Sequence, residues 1–240
     1  MPDSFNWIFF DCFNTLIDDF DEDGDESGLG PMQHLPVEAG LYKNVLEVRK
    51  DYLDWRDVTL KAQRKEIPLP DRLNDLLKRR SPDYPAEKRE ALVKEMVRCF
   101  SERYEDTLRL PSGVKEMLDY WKGKVSMGVV SNFHVANLPE KLLDKYGLRP
   151  YFNFVLDSAQ CGYRKRNTEI YEFAAQTAQI SPDNYHQILF IGDHLLNDAV
   201  SPKEIGMQSI YFDRSLERPN SKTAPAGIHT IQNWNQFRES

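Results

Sequence analysis

From Pro111 onward the chain alternates short apolar runs with amphipathic stretches, and this alternation leaves few folds open. Helices are expected over 113–122, 138–146, 168–178 and 198–205, the second and fourth closed by Gly147 and Gly206. Strands are expected between them over 125–130, 152–156 and 188–191, with a further one over 209–212. Strands separated by helices in this rhythm imply a mostly parallel, doubly wound α/β sheet. One more strand stands at the N-terminal end, where Trp7, Ile8, Phe9 and Phe10 form an unbroken apolar run. Such a run suits a strand covered on both faces.

Residues 36–106 have a different texture. Apolar residues at helical spacing occupy 37–64, 73–77 and 86–108, punctuated by Pro68, Pro70, Pro82 and Pro85. The organisation expected is therefore an α/β core made of 1–17 and 107–240, with an all-helical insertion over 18–106. Its first residues, DDFDEDGDE at 18–26, carry seven acids and no base, which equals the whole net charge of −7. Asp19, Asp21, Asp23 and Gly24 match half of a calcium loop, but Gly30 stands where the closing Glu is required, so a solvated acidic loop is expected.

A chain of 240 residues with 40% hydrophobic content can bury one large core and a smaller one. Its acidity argues against nucleic acid as a partner. No apolar stretch approaches a membrane span, and no secretion signal opens the sequence. Cys12, Cys99 and Cys161 lack metal-ligand spacing and fit a reducing cytoplasm, with Cys12 packed away from solvent. The oligomeric state is left open.

Three expected strands end in polar residues: Asp11 after the first, Ser131 and Asn132 after the next, Asp193 after the one at 188–191. Parallel strands gather their carboxyl ends on one edge, where open α/β sheets bind ligands. Lys165 precedes a helix, and Asp198 follows Asp193 by five residues. With FFDCFNTL, VVSN, Lys165 and FIGDHLLND in this order, the chain resembles the haloacid dehalogenase superfamily along its whole length. The resemblance implies a Rossmann-like core and reads the helical insertion as a cap domain. It implies a hydrolase in which Asp11 is the nucleophile and forms a covalent aspartyl intermediate. Ser131 and Asn132, with Thr15, would contact the substrate, and Lys165 would offset the negative charge that gathers there. Mg²⁺ would be held by Asp11, Asp193 and the backbone carbonyl of Phe13, with Asp198 orienting Lys165 or a bound water. His194 beside Asp193 is expected to point away from the site.

Two positions separate the reactions known in this superfamily. Its phosphatases carry a second Asp two residues after the nucleophile to protonate the leaving oxygen, and here that residue is Phe13. Its dehalogenases place an aromatic there, since halide needs no proton. Arg49, in VRKDYLDWR, falls roughly where dehalogenases keep a halide-binding arginine. The intact GDHLLND motif points the other way, to a metal. The reading favoured is Mg²⁺-dependent hydrolysis of a small anionic phosphorylated substrate with a good leaving group. The alternatives are metal-independent 2-haloacid dehalogenation and a binding or regulatory protein that kept the fold without turnover.

Overall fold

The computed structural model describes residues 4–19, 29–62, 65–214, 224 and 226–239. Eight strands occur among them: β1 (Trp7–Phe10), β2 (Asp18–Asp19), β3 (Leu108–Arg109), β4 (Ser126–Ser131), β5 (Phe154–Asp157), β6 (Ile188–Gly192), β7 (Gln208–Phe212) and β8 (His229–Ile231). Six of them form one sheet in the order β5-β4-β1-β6-β7-β8, with every neighbouring pair parallel. The order reverses at β1, where the chain goes first to β4 and later returns to β6 on the other side. That reversal opens a crevice at the carboxyl ends of β1, β4 and β6.

The apolar run of β1 is buried because its two faces serve two cores. Ile8 and Phe10 pack in one cluster with Val114, Leu118, Leu142 and Trp234. Phe9 packs in another with Ile170, Ala174 and Phe190. The period of two along a strand sends alternate side chains to opposite faces. Helices Val114–Trp121, Leu138–Lys145 and Trp234–Glu239 thus cover one face, and Thr168–Thr177 covers the other.

The stretch from 29 to 106 is helical, with Leu29–Met32, His34–Glu38, Val45–Ala62, Leu69–Arg80 and Ala86–Asp106. The helix expected over 37–64 is interrupted at Gly40, whose φ of +74° leaves the right-handed helical region. β2 and β3 pair antiparallel, Asp18 opposite Arg109, so the chain leaves and rejoins the sheet side by side. In place of the helix expected over 198–205, a π turn spans Leu195–Val200 and a short helix follows over Ser201–Glu204. β8 escaped the sequence reading because three residues are too short to show alternation.

The start of the acidic segment is a correction. Asp18 and Asp19 are buried, not solvated. Arg214 grips both oxygens of Asp18 at 2.7 and 2.8 Å, a fork-to-fork pair. Asp19 accepts from the Tyr104 hydroxyl at 2.9 Å and from Thr107 Oγ1 at 3.2 Å. Positions 20–26 lie outside the described residues.

Candidate active site

Asp11 continues the β1 ladder, donating its backbone N–H to the Ile191 carbonyl at 2.8 Å. The chain then turns sharply. Leu16 and Ile17 both donate to the Cys12 carbonyl, and Asn14 adopts a φ of +61°. Asparagine tolerates that conformation better than most residues. Cys12 is fully buried, and burial pushes its thiol pKa well up. The turn drives Thr15 inward: it is fully buried, and its hydroxyl accepts the Asp193 N–H at 3.2 Å. Thr15, expected as a substrate contact, ties the loop after β1 to the loop after β6 through this bond.

Phe13 packs into an aromatic cluster. Its ring lies 4.8 Å from Phe133 and 5.4 Å from Tyr104, centroid to centroid. Tyr104 belongs to the helix Ala86–Asp106, so the residue in the place of a general acid joins the helical segment to the sheet.

Ser131 ends β4, and its buried Oγ has no hydrogen-bond partner among the described residues. Buried hydroxyls are rarely left this way, so the atom marks a place where a ligand oxygen can sit. Asn132 is occupied differently. Its Oδ1 accepts the Lys165 N–H at 2.7 Å and its Nδ2 donates to the Lys165 carbonyl at 3.0 Å. A primary amide offers one acceptor and two donors, and here it holds the lysine backbone as a strand would.

β6 delivers Gly192 and Asp193. A Cβ on Gly192 would meet the Asp198 carboxylate at 2.4 Å, so only glycine lets that acid close under the strand end. Asp198 is fully buried. Its Oδ2 accepts the His194 N–H at 2.9 Å and its Oδ1 accepts from Lys165 Nζ at 2.8 Å. Exposed His194 caps the π turn, its Nδ1 accepting the Asn197 N–H at 3.2 Å. Such π turns recur at functional sites.

Lys165 Nζ bridges the cluster, 2.5 Å from Asp11 Oδ1 and 2.8 Å from Asp198. Burial alone would lower its pKa, but the two carboxylates outweigh that effect and hold it charged, above the ordinary lysine range. Burial raises Asp198, and Lys165 opposes the shift. Carboxylate oxygens of Asp11, Asp193 and Asp198 lie within 4.8 Å of one another. Both oxygens of Asp198 are engaged by Lys165 and the His194 N–H, and Asp11 and Asp193 stand at the ends of β1 and β6, where a cation could sit. Mg²⁺ typically takes one or two carboxylates plus waters and substrate oxygens, so the donor set fits it.

Arg49 is exposed on the helix Val45–Ala62 and makes no ion pair with these acids among the described residues. The buried arginine of the helical segment is Arg72, paired with Glu66 at 2.7 Å. Neither Arg72 nor Glu66 carried a sequence signal, because a charge that becomes buried by tertiary packing looks locally like any surface charge.

The parallel sheet with its reversal at β1 defines a doubly wound, Rossmann-like α/β fold, with a lysine bridging carboxylates at the strand ends and in the turn after β6. A family model for haloacid dehalogenase-like hydrolases matches residues 5–206, and the chain belongs to that family. It is 31% identical over 149 residues to haloacid dehalogenase-like hydrolase domain-containing protein 3 of Xenopus laevis, covering 62% of this chain and 58% of that protein. It is 24% identical over 124 residues to the pyrimidine 5'-nucleotidase YjjG of Escherichia coli, covering 50% and 54%. The matches thus span little more than half the length of these relatives. Among solved structures, a 2-haloacid dehalogenase from Pseudomonas syringae superposes with a TM-score of 0.72 at 17% identity, covering 98% of this chain and 97% of that one. A phosphatase of the family from Thermococcus onnurineus gives 0.62 at 17% identity, covering 98% and 96%. These likenesses establish the fold.

Proposed function

We propose that this chain hydrolyses a small anionic substrate through a covalent intermediate on Asp11, with an activated phosphate such as an acyl phosphate as the preferred class. The observation that carries the reading is the pairing of Asp11 with the charged Lys165 beside the unpartnered Ser131 Oγ. Ser131 Oγ–H would donate a hydrogen bond to a phosphoryl oxygen, and Lys165 would balance the charge shared with Asp11. Asp11 attacks phosphorus, the bond to the leaving oxygen breaks, and that oxygen departs with the electron pair. Water then attacks the aspartyl phosphate, releasing phosphate and restoring the carboxylate. Asp11, Asp193 and the Phe13 carbonyl would hold Mg²⁺, whose chemistry there would be charge neutralisation of the phosphoryl group.

Phe13 supports the choice of leaving group. A carboxylate or halide leaves as a stable anion, whereas an alkoxide without general-acid help loses about 10²–10⁴ in rate. The same residue favours a second reading, metal-independent displacement of halide from a 2-halo acid by Asp11. A binding role without turnover is the third. In all three, residues 18–106 act as a cap over the strand ends, a division supported by the pairing of β2 with β3. Thr15 and Asn132 then serve to hold Asp193 and Lys165, and Arg49 has no part in the site.

The test is phosphate release from acetyl phosphate with and without Mg²⁺, beside chloride release from 2-chloropropionate in EDTA. Mg²⁺-dependent phosphate release that is lost in Asp11→Asn is the expected result. Chloride release that survives chelation would overturn it in favour of the dehalogenase. No turnover of either substrate, with no adduct trapped on Asp11, would leave the binding role.

A further inference from the structure

We propose that Glu66, in the middle of the helical segment, is a positioning residue for the loops that carry Ser131, Asn132 and Lys165. Its side chain is 2% exposed, and it sits where three parts of the molecule meet. Glu66 Oε1 pairs with Arg72 at 2.7 Å, which fixes the carboxylate from its own segment. Arg72 is held in turn, donating to the Ile67 carbonyl at 2.6 Å and to the Tyr52 hydroxyl at 3.3 Å. Glu66 Oε2 accepts from Ser158 Oγ at 2.7 Å, on the sheet side.

That hydroxyl is the relay. A serine has one proton to give, and the charged acceptor at 2.7 Å takes it in preference to the Phe133 carbonyl at 3.1 Å. With its proton committed, Ser158 Oγ presents a lone pair to the Phe133 N–H, at 2.9 Å. Phe133 directly follows Asn132, and its ring rests on Phe13, two residues beyond Asp11. Glu66 thus fixes the position of the hydroxyl oxygen that receives the Phe133 N–H, at the residue that anchors the Ser131–Asn132 loop.

The same stretch of backbone grips the lysine loop. The Glu66 N–H donates to the Gly162 carbonyl at 2.9 Å, Lys65 bridges Tyr163, and Arg164 Nε lies 3.7 Å from Glu66 Oε2. Next door, the Leu69 N–H donates to the His134 carbonyl at 2.6 Å. Both loops are therefore clamped from the helical segment at one point, and a shift there moves Ser131 and Lys165 together. Misplacement of reacting groups by about 1 Å can cost 10²-fold in rate.

The kinetic part of this proposal rests on the hydrolase reading, but amide exchange tests the coupling without it. In Ser158→Ala, which leaves the Glu66–Arg72 pair intact, deuterium uptake should rise in peptides spanning 130–137 and 160–167 and stay unchanged across 188–192. With whichever substrate the wild type turns over, kcat should fall at least about tenfold while KM changes less than about threefold. Two double variants separate positioning from folding. Glu66→Gln with Arg72→Gln keeps an oxygen for Ser158 without stranding a charge, and should retain most of kcat. Glu66→Leu with Arg72→Leu keeps the volume and the fold but offers no acceptor, and should lose kcat as Ser158→Ala does. Unchanged exchange in both loops, or equal kcat in the two double variants, would overturn the proposal. If no substrate is turned over, the hydrolase reading fails and the exchange result alone decides this one.

Discussion

Phe13 and His134 show how single residues bind the helical segment to the sheet. Phe13 is enclosed by Phe133 and Tyr104, so replacing it with the acid common in phosphatases would bury a carboxylate among aromatic rings. Phe13→Asp should cost about 3 kcal/mol or more, seen as a lowered denaturation midpoint, with no gain in phosphate release. A gain in turnover at unchanged stability would mean the position still reaches the leaving group. His134 stacks on Phe133, and burial, with Arg72 and Arg164 nearby, holds its pKa well below the ordinary histidine value. The unfolded chain binds that proton more readily than the folded one, so stability is intact above about pH 6.5 and falls as the pH drops below it. The slope from this group approaches about 1.4 kcal/mol per pH unit. His134→Phe should flatten the wild-type loss between pH 6.5 and 5, and an identical slope in the variant would refute the assignment.

Among the elements, the turn after β1 depends on a contact far along the chain. Asp18 opens the first strand of the β2–β3 pair, and Arg214 reaches it from beyond β7 while also donating to the Asn14 carbonyl at 2.9 Å. Removing one partner strands a buried charge, so Asp18→Ala should cost about 3–5 kcal/mol. Asp18→Leu combined with Arg214→Met should recover most of that loss in chemical denaturation, because no unpaired charge remains. Recovery absent in the double variant would mean that geometry, not charge, is at stake. Five of the six strands of the large sheet were legible because an unbroken apolar run or a buried alternation is a local property. β8, the break at Gly40 and the π turn at 195–200 were not, since each is fixed by what packs against it.

For the whole molecule, the expected consequence of three converging acids is linkage between metal and fold. Mg²⁺ that binds the folded chain alone should raise its stability, by about 2.7 kcal/mol at a hundredfold excess over Kd. A thermal midpoint that rises with MgCl₂ in the wild type and not in Asp193→Asn is the predicted outcome. A midpoint indifferent to the cation in both proteins would remove the metal from the reading. No helix among the described residues is long and apolar enough to cross a membrane.

Strand character and the residue at a strand end are both written locally, so five strands of the large sheet and the polar residues that close β1, β4 and β6 could be read from the sequence. Asp11, Ser131, Lys165, Asp193 and Asp198 could be named before any coordinates, as residue types placed at the ends of recognisable elements. Tertiary packing supplied the contacts of Thr15 with the Asp193 N–H and of Asn132 with the Lys165 backbone, since a hydroxyl or an amide meets a substrate or a neighbouring loop with equal ease. It likewise buried Arg72 while leaving Arg49 exposed, and placed Asp18 and Glu66 inside. Burial of a charge depends on partners distant in the chain, and short-range pattern carries no trace of them.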